Sequence, residues 1–214
     1  MFGMSDSLRA GVIGFGLAGR IFHASVIDAT PGIELAAIVE RAGTAASEAF
    51  PHAQTVRSVD ELLADESIEL CVVATPNDSH VPLARQCLEA GRHVVVDKPL
   101  ALHSEDAAAL AVLARQCGRS ISAFHNRRWD GDFLTLQRLI ADGSLGQVVS
   151  FESHFDRFRP APRLEAWRES GGPGGGVLFD LGPHLIDQAL ALFGDPATVW
   201  AEVRSERPGA RADD

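Results

Sequence analysis

Lys98 is the only lysine among the 19 Lys and Arg residues of a 214-residue chain. It lies in HVVVDKPLAL, His93 to Leu102, directly after an apolar run. Arginine does not practicably lose its proton, whereas burial or a neighbouring cation can tune a lysine to do so. A single Lys at a strand edge therefore suits a group that trades a proton with a carbinol oxygen while hydride leaves the carbon. Two other stretches carry chemistry. GVIGFGLAGRIFHA places Gly14, Gly16 and Gly19 in the GxGxxG spacing, and GGGVLFDLGPHLID places Asp180 and His184 four residues apart, with Asp187 one turn further on. On one helix Asp180 and His184 would share a face. Alone, Asp180 also reads as a helix cap and His184 as a satisfied helical histidine.

Composition excludes several classes. The formal net charge is -10, which argues against a nucleic-acid-binding face. No apolar run approaches the roughly 20 residues of a membrane span, and the first residues lack a signal core with a cleavage site. Cys71, Cys87 and Cys117 are dispersed and odd in number, as in a reducing, cytoplasmic setting. Metal-ligand spacings are absent, so no metal is expected. The chain has no Tyr, which excludes a catalytic tyrosine.

The elements that must position these residues alternate. β-rich runs occur at Ala10–Ile13, Glu34–Val39, Glu69–Ala74, His93–Val96 and Ser120–Phe124. Ala-rich stretches with helical spacing occupy Arg20–Ile27, Ala45–Phe50, Val81–Ala90 and Ser104–Cys117. Such alternation predicts βαβ units and an α/β, Rossmann-type, doubly wound parallel sheet. Past Asn126 the pattern changes. A helix is expected up to about Gly143, then a long alternating strand over QVVSFESHFDRF, a loop rich in Arg, Pro and Gly, a helix over Asp180–Phe193, and a strand over Thr198–Arg204. One open face per strand suggests the start of an α+β domain with an open, mainly antiparallel sheet. The expected division is a dinucleotide-binding domain over residues 1–126 and a partial substrate and oligomerisation domain over 127–214. Two strands rarely make an independent sheet, so the second domain reads as cut short.

GxGxxG alone is weak evidence, but here it follows a strand and opens a helix. Gly14 permits the tight turn, Gly16 lets backbone approach a pyrophosphate, and Gly19 lets helix pack on strand. The segment Gly14, Phe15, Gly16, Leu17, Ala18 and Gly19 is thus a candidate phosphate cradle, with the Leu17 and Ala18 amides aimed at the anion. Glu40 ends the second run about 20 residues on, where an acid binds the adenosine ribose. Its charge repels a 2'-phosphate and favours NAD; the adjacent Arg41 could hold that phosphate, which leaves NADP possible. Thr75, Pro76, Asn77 and His80 leave the strand Glu69–Ala74 at the sheet's switch point, facing the cofactor. Helix capping explains Asn77, Asp78 or Ser79 equally well.

GFGLAG, ATPNDSH, DKP and GGGVLFDLGPHLID, in this order and spacing, resemble the Gfo/Idh/MocA oxidoreductases, such as glucose–fructose oxidoreductase and inositol 2-dehydrogenase. Asp97 stands where that family usually has Glu. The resemblance implies an NAD(P)-dependent dehydrogenase acting on a hydroxyl of a sugar, cyclitol or related polyol, a homo-oligomer through the C-terminal sheet, and a cis bond before Pro99. It implies Lys98, Asp180 and His184 as catalytic residues, and Asp97, Lys98, Asn126 and Arg128 beside the cofactor. Which of Lys98 and His184 takes the carbinol proton stays open. Arg157, Arg159, Arg163 and Arg168 read as carboxylate or phosphate binders or as a solvated loop. The family also contains a sugar-regulon repressor, so a dinucleotide- or sugar-binding regulator without turnover is the second reading. An inactive fragment is the third.

Overall fold

The computed structural model describes residues 7–214. The chain divides into one unit that ends at Phe124 and a second over His125–Asp214. The first is built on six parallel strands: β1 Leu8–Ile13, β2 Ile33–Val39, β3 Gln54–Val56, β4 Leu70–Val73, β5 His93–Asp97 and β6 Ile121–Phe124. Their order in the sheet is β3-β2-β1-β4-β5-β6. The expected doubly wound sheet is present, with its switch point between β1 and β4. Between the strands run α1 Ser25–Ala29, preceded by a π-helical turn over Gly19–Ala24, then α2 Ala45–Ala49, α3 Val59–Leu63, α4 His80–Glu89 and α5 Ser104–Gln116.

Alternate strand residues feed two apolar cores. Ile13, Cys71, Val73, Val94 and Val96 join Leu62, Leu88 and Leu110 in one cluster. Ala10, Val12 and Val72 join Ala24, Ile27 and Ile38 in the other. Helices on both sides explain why β4 and β5 read as continuous apolar runs. Cys71 and Cys87 are fully buried core residues. A hydrogen bond with Cys71 and burial both push the Cys87 thiol far up, away from reactivity. Sequence reading found neither β3 nor α3; each is a single short turn or bridge with too few residues to show a period.

The second unit contains α6 Gly131–Ala141, α7 Gly176–Asp180 and α8 Gly182–Phe193. Here two expectations change. The segments expected as strands, 147–158 and 198–204, form no strand among the described residues. A strand needs a hydrogen-bonded neighbour, and among the described residues these segments find none; Val149, Phe158 and Trp200 stand in solvent at 90%, 91% and 83% exposure, while Phe151 packs on Phe193. The helix expected over Asp180–Phe193, with its proper start near Pro183, is α8, which begins at Gly182; Asp180 belongs instead to the preceding α7. Asp180 closes α7, Leu181 interrupts at φ -114°, and α8 restarts with Pro183 in its first turn. Pro has no N–H to bond back to the preceding turn, so its favoured place is a helix start.

Candidate active site

Parallel strands in one register bring distant residues to one edge. Ile13 pairs with both Val39 and Val73, and Val73 with Val96. Gly14, Glu40, Thr75 and Lys98 each follow the end of such a strand, so all four lie along the carboxyl edge where ligands bind in open α/β sheets.

The glycine turn is shaped for close approach. Gly14 has φ +100°, a conformation that side chains rarely adopt, and a Cβ there would meet the Ala74 carbonyl oxygen at 2.7 Å. A Cβ on Gly19 would lie 2.0 Å from the Gly14 carbonyl oxygen. Gly16 differs: nothing lies within 4 Å of its Cβ position. The first and third glycines are therefore required by the protein's own packing, while the second keeps an open cradle above the turn. Phe15 packs edge-on against Phe50, and Leu17 and Ala18 begin the helix. These features fit a pyrophosphate.

Glu40 Oε2 accepts the Ala46 N–H at 3.1 Å, which orients the carboxylate at the end of β2. Arg57, which sequence reading did not single out, braces this loop: its Nη1 donates to the Glu40 and Gly43 carbonyls at 2.9 Å each. Arg41 is exposed. In the next loop Asn77 is buried, Pro76 is exposed, and Ser79 Oγ bonds to Thr75 Oγ1 at 2.7 Å.

His80, expected beside the cofactor, turns its ring inward. It is fully buried, with Nε2 2.9 Å from the Thr75 carbonyl and Nδ1 2.8 Å from the Pro99 carbonyl. Its ring ties the Thr75 loop to the Lys98–Pro99 turn. That peptide bond is cis. Lys98 is half-buried, and its N–H donates to Asp97 Oδ1 at 2.8 Å. Asp97 Oδ2 lies 3.9 Å from Nε2 of His23, a buried residue that sequence reading passed over. No periodicity could single out His23, because the π turn that aims it inward breaks the 3.6-residue repeat.

In the second unit, Asn126 and Arg128 fall in a 3-10 turn, Asn126–Trp129. Arg128, expected beside the cofactor, forms a two-pronged pair with Asp187: Nε to Oδ2 at 2.7 Å and Nη2 to Oδ1 at 2.6 Å. The pairing holds the Arg128 guanidinium firmly protonated. Asp187 and His184 are both buried on α8. Asp180 lies between two cations, 3.2 Å from Arg168 Nε and 3.3 Å from Arg157 Nη1. Arg159 and Arg163 pair with Glu169. These arginines therefore serve the unit's own acids, which neither sequence reading of the loop anticipated.

A parallel sheet in this order, with a glycine turn at its switch point, defines an α/β protein of the dinucleotide-binding Rossmann class. Residues 8–125 match the family described as "Oxidoreductase family, NAD-binding Rossmann fold", and residues 133–214 match the GFO/IDH/MocA C-terminal domain. The chain belongs to the Gfo/Idh/MocA oxidoreductase family. It is 51% identical over 211 residues to the uncharacterised oxidoreductase YdgJ of Escherichia coli (strain K12), covering 99% of this chain and 61% of that one. It is 37% identical over 209 residues to the scyllo-inositol 2-dehydrogenase (NADP(+)) IolW of Bacillus subtilis (strain 168), covering 98% and 58%. The solved structure of yvaA from Bacillus subtilis superimposes with a TM-score of 0.94 at 37% identity, covering 99% of this chain and 60% of that one. The chain thus spans about three fifths of the length of these relatives. No helix among the described residues is long and apolar enough to cross a membrane.

Proposed function

We propose that the protein is an NAD(P)-dependent oxidoreductase that acts on a hydroxyl or carbonyl carbon of a sugar, cyclitol or related polyol. The observation that carries this reading is the placement of Lys98, the only lysine, on the same sheet edge as the open Gly16 cradle. The substrate class is supported by the names of two relatives, IolW and the inositol 2-dehydrogenase of Rhizobium meliloti (strain 1021), 30% identical over 200 residues.

Gly14 to Gly19 would hold the pyrophosphate, Glu40 the adenosine ribose, and Thr75, Pro76 and Asn77 the adjoining part of the dinucleotide. When bound, the dinucleotide supplies the hydride donor or acceptor. Lys98 holds or releases a proton at Nζ, and the His184 imidazole is the second acid/base group. Asp180 orients substrate or histidine. The Glu40 carboxylate favours NAD, and Arg41 beside it gives NADP a route of its own. Residues 1–126 would bind the cofactor and 127–214 contribute to the substrate side, with self-association through the second unit's exposed apolar segments.

The test is NADH and NADPH fluorescence on mixing, followed by turnover on a panel of polyols and sugars. Lys98→Met and His184→Ala should each lower kcat by about 100-fold or more. Wild-type rates in both variants on a confirmed substrate would overturn the catalytic assignment. Cofactor binding without turnover anywhere on the panel would favour the binding-protein reading instead.

A further inference from the structure

His23 is a buried titratable group that the proposed reaction does not use. It is 3% exposed, and its Nε2 is a buried atom with no hydrogen bond. Such a nitrogen is costly to leave unsatisfied, so its placement calls for a reason. The helix carrying it widens to a π turn over Gly19–Ala24, a deviation that concentrates at functional sites. The ring rests against Phe124 with centroids 4.3 Å apart, and Nε2 points to Asp97 Oδ2 at 3.9 Å. That is too long for a hydrogen bond and within the range of an ion pair. The other oxygen of the same carboxylate, Oδ1, accepts the Lys98 N–H. Burial opposes ionisation of Asp97, yet His23, the Lys98 N–H and the Lys98 charge together hold it below the usual carboxylate range.

We propose that His23 and Asp97 form a positioning pair for Lys98, in which the imidazole orients the carboxylate and the carboxylate fixes the lysine's backbone. The proposal rests on reading Lys98 as the acid/base group, and its test uses neither cofactor nor substrate. Lys98 is the only lysine, so reductive methylation with ¹³C-formaldehyde labels Lys98 and the α-amine alone. A Lys98→Arg control identifies the α-amine signal. In the wild-type chain the Lys98 resonance should report a titration below the ordinary aspartate value of about 3.9, the signature of Asp97. His23→Phe keeps a ring against Phe124 and removes both nitrogens; it should move that titration up by about one unit. His23→Gln, whose amide nitrogen can stand near the Nε2 position, should restore it at least halfway. Asp97→Asn should remove the acid limb.

A His23→Phe curve that superimposes on wild type, in a protein with native circular dichroism, overturns the proposal. A shift in His23→Phe that His23→Gln fails to reverse also overturns it, because packing alone then explains the effect. If His23→Phe does not fold, His23→Gln must titrate within half the predicted shift of wild type and Asp97→Asn must lose the acid limb; failure of either overturns the pairing. Loss of turnover in Lys98→Met is a separate result, so the failure of one reading is distinguishable from that of the other.

Discussion

At Lys98 the residue type was legible before the geometry. A lone amine in a chain that otherwise uses arginine suits the proton-exchanging role proposed for it, and the fold places it at the carboxyl end of β5. Its neighbours were legible only in part. Asp97 stood out as a shortened carboxylate, but that it faces a buried histidine followed only from the structure. His80 looked like a cofactor contact because it opens a helix at the switch point; its ring is spent on two backbone carbonyls. A titration argument belongs at this scale. The native state holds Asp97 ionised more firmly than the unfolded chain does. Asp97 therefore contributes stability above the ordinary aspartate range, and that contribution is lost as pH falls through its lowered native value. Melting temperature followed from about pH 6 to about pH 3 should fall less steeply in Asp97→Asn than in wild type. Equal slopes would show that the depressed ionisation has no thermodynamic weight.

Among the elements, the glycine turn separates packing from ligand binding. The Cβ of Gly19→Ala would strike a backbone carbonyl that cannot swing aside, so unfolding in urea should show a loss of about 3 kcal/mol. Gly16→Ala meets nothing within 4 Å, so its stability should stay within about 0.5 kcal/mol of wild type. Its added methyl occupies the cradle, and fluorescence titration should show dinucleotide binding weakened about tenfold, or roughly 1.4 kcal/mol. Equal effects of the two substitutions on stability would refute the distinction. The strands of the first unit other than β3, and its longer helices, were readable because the helices bury a periodic apolar face and the central strands are apolar throughout. The break at Leu181 was signalled only weakly, by Gly182 and Pro183 in the expected first turn. It matters because Asp180 and His184 then belong to different helices, and Asp180 is held by Arg168 from the Trp167–Glu169 turn and by Arg157 from the segment expected as a strand.

For the whole molecule, two units of unlike character share one chain. The first closes its apolar surface into two cores around a sheet. The second leaves Val149, Phe158, Val199 and Trp200 largely in solvent. Exposed apolar side chains on segments with alternating polarity invite association. Sedimentation velocity should show concentration-dependent self-association that Phe158→Glu with Trp200→Glu reduces, while thermal unfolding of the first unit is unchanged. A monomer at every concentration would remove the basis for the oligomer. The sequence by itself determined the α/β class, the glycine turn, the lone lysine and the alternation of the longer strands and helices, because these depend on local period and residue type. Only the tertiary structure decided which partners Asp97, Arg128 and Asp180 take, and that 147–158 and 198–204 form no ladder. A charge takes whatever counter-charge the fold brings within a few ångströms, and a strand exists only beside another strand; neither neighbour is written in the local sequence.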